Sequence, residues 1–155
     1  MSSRVTNGID ATLTEIDGGF YDISIDAFGD VATADSFDTA ILVSLLTDRR
    51  ADESEIAESD RRRGWIGNES TPGVEMGSKI WLYEQARATR TVINAVSDAA
   101  RDALEWLIED GFAIALSDVT VGATATGMTL SVTIRRPNSQ VDRRFFSLWA
   151  CTGVS

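Results

Sequence analysis

The chain of 155 residues contains no histidine, a single cysteine, a single lysine and two prolines. The missing histidine removes the commonest general base, the commonest metal ligand and every Ser-His or Cys-His dyad. Any catalysis would have to run on carboxylates, arginine or Lys79 alone. The lone Cys151 excludes an internal disulfide, and beside Trp149 it is expected to act as a small buried apolar residue. No apolar run approaches the eighteen or so residues of a membrane-spanning helix. The first residues, Met-Ser-Ser-Arg-Val-Thr-Asn-Gly, lack the apolar stretch of a signal peptide, so synthesis and use in a cytoplasm are expected.

What is present suffices for one domain. Hydrophobic residues make up 43% of the chain, enough for a single core without covalent staples. The net charge of −10 is uneven. Residues 1–60 hold fourteen acids against Arg4, Arg49 and Arg50, and residues 61–155 hold ten acids against eleven bases. An acidic chain of this kind is repelled by phosphate, so nucleic acid is not an expected partner. The asymmetry suits charge-matched packing on protein partners, or alternatively a solvated acidic surface.

Gly18-Gly19 marks a turn, and Phe20 to Ile25 alternate as a strand onto which Val31-Ala32-Thr33 can pair back. Asp35 or Ser36 caps a helix carrying Phe37, Ile41, Leu42, Leu45 and Leu46, expected to end near Thr47. Residues 48–60 read as a charged loop with a short helical turn. Residues 61–77 read as a long ordered loop, a length that suggests function. Ser78 is a candidate cap for a short helix over Ile80 to Tyr83. Thr89 or Thr91 caps the longest helix, expected from Val92 to Asp110 with Val96, Ala100, Leu104 and Leu107 on its apolar face, and Gly111 ends it. From Phe112 on the chain reads as antiparallel sheet: Phe112, Ile114 and Leu116 alternate, then Val119, Val121, Ala123 and Ala125, then, after a turn at Gly127, Met128, Leu130, Val132 and Ile134, and, after a turn at Pro137-Asn138-Ser139, Phe146, Leu148 and Ala150. The expected fold class is α+β: a small antiparallel sheet packed with helices, a single domain over residues 20–155 after an N-terminal arm over 1–19.

Candidate chemistry is sparse. Glu53, Glu55 and Glu58 sit in a wet, charged segment, whereas a glycosidase pair needs one desolvated acid. Asp22, Asp26 and Asp30 are spaced by four, not at the alternate positions of a calcium loop. The spacings of Gly64, Gly67, Gly73 and Gly77 match no phosphate-binding loop. No cofactor or metal is expected. The residues that stand out are Arg61, Arg62, Arg63 and Trp65, with Arg49 and Arg50 nearby. Arginine and tryptophan are the types that most often anchor protein interfaces. The alternative is that Trp65 closes a local core while the arginines neutralise Glu55, Glu58 and Asp60.

Four stretches, in this order and spacing, carry a resemblance: Leu45-Leu46-Thr47-Asp48-Arg49-Arg50-Ala51, Asp60-Arg61-Arg62-Arg63-Gly64-Trp65, Gly77-Ser78-Lys79-Ile80-Trp81-Leu82 and Ala103 to Gly111. Together they resemble the phage Mu gene product 46 family over about residues 22–135. The resemblance implies a structural, non-catalytic baseplate wedge protein of a contractile tail, related to the T-even wedge subunit sometimes called lysozyme-like. It implies a place in the virion tail after assembly in the host cytoplasm, several copies in a six-fold assembly, and other wedge subunits and the tail sheath as partners. It also implies a sheet that accepts strands from the first sheath ring. Neither nucleic acid nor membrane is implied. The T-even relatives carry Glu-Pro-Arg where the long helix meets the sheet. Here Glu109-Asp110-Gly111-Phe112 stands in that place, so that motif's role is not carried over. The competing readings are a carboxylate-based peptidoglycan hydrolase of the tail and an unrelated soluble adaptor.

Overall fold

A computed structural model describes residues 9–17, 20–31, 33–57, 62–70, 76–84, 86–125 and 127–150. Arg61 and Cys151 lie outside them, and the side chain of Trp149 is likewise not described. The architecture is α+β, with two helices packed on a three-stranded antiparallel sheet and a two-stranded ribbon at the N-terminal side.

The ribbon begins inside the segment expected as an arm. Strands β1 (Ile9–Ala11) and β2 (Leu13–Asp17) follow each other with only Thr12 between them. β2 pairs with β3 (Phe20–Ile23), and β1 pairs with β4 (Thr33–Asp35), both antiparallel. The Thr12 carbonyl accepts from Ser24 N at 2.9 Å, which joins the two ladders. The result is one long hairpin with residues 25–31 looped out as a tongue, closed by an antiparallel bridge between Ile25 and Val31. Val31 thus returns to the strand as expected, while Thr33 pairs with Ala11 instead.

Helix α1 (Ser36–Leu46) buries Phe37, Ile41, Leu42 and Leu45 and leaves Leu46 exposed at its end. After a 3-10 turn over Glu53–Glu55 come the short helix α2 (Gly67–Ser70) and a second 3-10 turn over Ile80–Tyr83. Helix α3 (Arg90–Leu104) starts at Thr89, whose hydroxyl accepts from Val92 N at 3.3 Å. The single helix expected to Asp110 is divided. At Glu105 the amide bonds to the Asp102 carbonyl three residues back, and a separate turn of helix, α4 (Trp106–Glu109), follows. Trp106 is buried there, its Nε1 donating 3.0 Å to Ser44 Oγ of α1. Its ring meets Phe112 edge-on at 6.0 Å. Gly111 ends α4 at φ 80°, the left-handed conformation expected of it.

The sheet runs β5 (Ala115–Ala123), β6 (Gly127–Arg135), β7 (Val141–Ala150), in that spatial order. Met128, Leu130, Val132 and Ile134 point to the helices with almost no exposure. In β5 the alternation changes phase between Leu116 and Val119, yet both are buried. A register shift between Leu116 and Asp118 accounts for it: one extra residue flips every later side chain to the other face. The strand expected to include Phe112 starts only at Ala115, because Phe112 is drawn against Trp106. Charged contacts fasten the helices to the sheet. Arg144 of β7 donates to Asp38 of α1 at 2.9 and 3.1 Å, and Arg101 of α3 donates to the Leu116 carbonyl. Arg136 pairs with Asp142 and lies 4.0 Å from the centre of the Phe37 ring.

Candidate functional site

Three segments between α1 and α3 fasten to one another through the backbone. Ser78 N donates to the Thr47 carbonyl at 2.8 Å, and Arg49 N donates to the Ser78 carbonyl at 2.9 Å. Trp65 N reaches the Asp48 carbonyl and Ala51 N the Arg62 carbonyl, both at 3.0 Å. The loop expected over 61–77 is thus ordered, where described, by the segment after α1. Two glycines make this closeness possible. A Cβ on Gly77, at φ 109°, would lie 2.5 Å from the Thr47 carbonyl oxygen, and one on Gly64, at φ 118°, would lie 2.8 Å from Arg50 Cβ. Ser78 is buried, and its hydroxyl donates 2.6 Å to the Leu45 carbonyl at the end of α1. Its expected capping role is reduced to a long 3.4 Å contact from Ile80 N.

On this platform the basic residues meet acids of their own chain. Arg62 donates from Nε to the Ala51 carbonyl at 2.7 Å and pairs with Glu53 at 3.4 Å. Arg63, in a left-handed conformation at φ 44°, pairs with Asp48 at 3.3 Å and Glu84 at 3.4 Å. Its guanidinium lies 4.9 Å from the centre of the Trp81 ring. Trp81 in turn donates from Nε1 to the Arg49 carbonyl at 2.8 Å, which holds the indole partly buried. Arg50 pairs with Glu69 at 3.4 Å, both side chains exposed. Trp65 keeps 46% of its surface exposed and sets its ring over Gly67, where any Cβ would strike it. Among the described residues the acids that meet these arginines are Asp48, Glu53, Glu69 and Glu84, while Glu55 serves Lys79; Glu58 and Asp60, also expected as partners, lie outside the described residues.

Lys79 bridges Glu55 at 2.8 Å and Asp52 at 3.0 Å. Burial opposes its charge, but the hydrogen bonds and charges of Glu55 and Asp52 outweigh this and raise its pKa above the ordinary lysine value. The same hydrogen bond and charge hold the Asp52 carboxyl below the usual carboxylate range. A general acid for glycoside cleavage needs the opposite shift. Glu55 and Lys79 border a cleft of about 280 Å³ with Arg49, Tyr83, Asp98 and Asp102. A smaller hollow of about 150 Å³ lies between Arg49, Arg50, Arg63, Gly64, Trp65 and Asn68. Among the described residues no group of three or more His, Cys, Asp or Glu is placed to hold a metal ion.

The structure brings Arg49, Arg50, Arg62, Arg63 and Trp65 together as one patch. A second group of exposed residues escaped the reading of the sequence: Phe20, Ile23, Ile25, Phe28 and Val31 on the ribbon and its tongue. The available signal was apolar residues in both phases of one short strand, more than a single buried face requires.

The chain is similar to known phage proteins. The "Mu-like prophage FluMu protein gp46" of Haemophilus influenzae is 28% identical over 112 residues, covering 72% of this chain and 77% of that protein. The "Baseplate protein gp46" of Escherichia phage Mu is 41% identical over 80 residues, which is 50% of this chain and 54% of the Mu protein. The matched stretch thus spans about half the length of the Mu relative. The model of the family described as phage protein GP46 matches residues 37–141, from Phe37 of α1 to Val141, the first residue of β7. The chain belongs to the phage protein GP46 family.

Proposed function

We propose that the chain is a structural, non-catalytic subunit of a contractile-tail baseplate, carried in the virion. The observation that supports this best is its kinship with a Mu protein named as a baseplate component. The family match takes in the helices, the three fastened segments and two strands of the sheet. In this reading the partners are other wedge subunits and the tail sheath, and several copies act in a six-fold assembly.

Two features suit the role. First, β5 and β7 are the outer strands of the sheet, and each has one edge without a strand neighbour among the described residues. Such an edge offers a row of main-chain donors and acceptors to an added strand, which is the means proposed for meeting the first sheath ring. Second, the basic-aromatic patch divides its labour. Arg62 and Arg63 hold the platform, while Arg50 and Trp65 face outward from it and, with Arg49 and Arg61, form the proposed wedge contact. Co-expression with the baseplate subunits encoded beside it tests the reading. Co-purification is expected, and a chain that elutes alone contradicts it.

A further inference from the structure

The tongue between β3 and β4 is built, and what it presents is an aromatic ring. Asp26 organises it. Its Oδ1 accepts from Phe28 N at 2.8 Å and from Asp30 N at 3.0 Å. The main chain closes the same turn, Asp26 N donating to the Asp30 carbonyl at 2.8 Å and Gly29 N to the Asp26 carbonyl at 3.1 Å. Gly29 takes φ 86° at the tip. The Ile25–Val31 bridge closes the base. Phe28 stands at the end of this frame with 92% of its surface exposed, flanked by exposed Ile25 and Val31. Ile23 and Phe20 on β3 are exposed as well, on opposite faces of the strand.

A ring held out by four hydrogen bonds differs from a ring left over on a floppy loop. Its ordering cost is met before any partner arrives, which is the condition for an interface anchor. The charge along this stretch of chain is of one sign. Asp22, Asp26 and Asp30 are exposed beside the apolar residues, and no lysine or arginine occurs between Arg4 and Arg49. The tongue also lies N-terminal to residues 37–141, the part that matches the family.

We infer that the tongue at residues 25–31 is a second docking element, which inserts Phe28 into an apolar pocket rimmed by lysine or arginine on another baseplate subunit. The acidic flanks select a basic rim and steer the approach, and the ring supplies the affinity. This rests on the baseplate reading and deepens it.

The test uses the full chain co-expressed with its neighbouring baseplate subunits, with affinity then measured on the purified partners. Phe28→Ala removes an exposed side chain and should leave the melting curve unchanged. It is expected to weaken partner binding at least about tenfold. Asp30→Lys should weaken binding as well, and more so at low salt. Wild-type binding retained by both variants overturns this inference and leaves the baseplate reading standing. A wild-type chain that binds none of the subunits overturns both. Self-association of the isolated chain that disappears with Phe28→Ala makes a second copy the occupant, and overturns the choice of a basic partner.

Discussion

Leu104→Ala removes a side chain with no exposed surface, set where α3 meets the rest of the core. Val96, Ala100 and Ala103 share its stripe on α3, Leu107 of α4 belongs to the same cluster, and Leu130, Val132 and Ile134 supply its sheet side. The change takes away about three methylene equivalents, or ~2.5 kcal/mol of transfer free energy at roughly 0.8 each. The void adds to this where neighbours cannot collapse into it, and Leu104 is held between helices and sheet, so the total should fall within about 2–5 kcal/mol. At roughly 2–4 °C per kcal/mol for a chain of this size, a loss near 3 kcal/mol lowers the melting midpoint by about 6–12 °C. Circular dichroism melting of the pure monomer reads this directly. An unchanged midpoint would falsify the assignment of α3's buried face and, with it, the packing of helices on the sheet.

Three further changes probe the platform and its patch. Lys79→Met removes the partner of Asp52 and Glu55. Since Asp52 has a depressed pKa, its contribution is present above the ordinary carboxylate value of about 4 and is lost as the pH falls through the depressed value. The stability difference between wild type and variant should therefore be present at neutral pH and shrink in acid; a difference that grows in acid contradicts the pairing. Arg62→Ala combined with Arg63→Ala should cost the monomer about 1–2 kcal/mol, chiefly through the lost Arg62 bond to the Ala51 carbonyl. Arg50→Glu should leave melting near wild type, because its ion pair with Glu69 is exposed, but should weaken co-purification with baseplate subunits. The reverse ranking of these two variants refutes the division of labour within the patch.

Where the sequence was easy to read, the signal was local. Met128, Leu130, Val132 and Ile134 alternate without interruption between two turns, so the face of β6 and its place in the sheet followed directly. Thr89, one of two candidate caps, and Gly111 likewise bracketed the last helical stretch. The division at Glu105 left no such mark, because no glycine or proline lies near it and the departure is one tightened turn. The ribbon was hidden for another reason. Its ladder pairs Leu13 with Ile23 but Ala11 with Thr33, so a tongue interrupts the partner strand, and β1 is too short to show a period. At the site, residue types pointed to Arg49, Arg50, Arg62, Arg63 and Trp65. Their internal partners did not show, since Asp48, Glu69 and Glu84 lie 15 to 21 residues from the arginines they meet.

The measurement closest to the central claim is the mass of what this chain assembles into. It should be co-expressed with the baseplate subunits encoded beside it, purified through a tag on one of those subunits, and weighed by native mass spectrometry. The baseplate reading predicts a discrete complex that contains this chain at fixed stoichiometry with its wedge partners. Subunits that assemble to their full complex without the chain, while it remains a lone 16.8 kDa monomer, would contradict it.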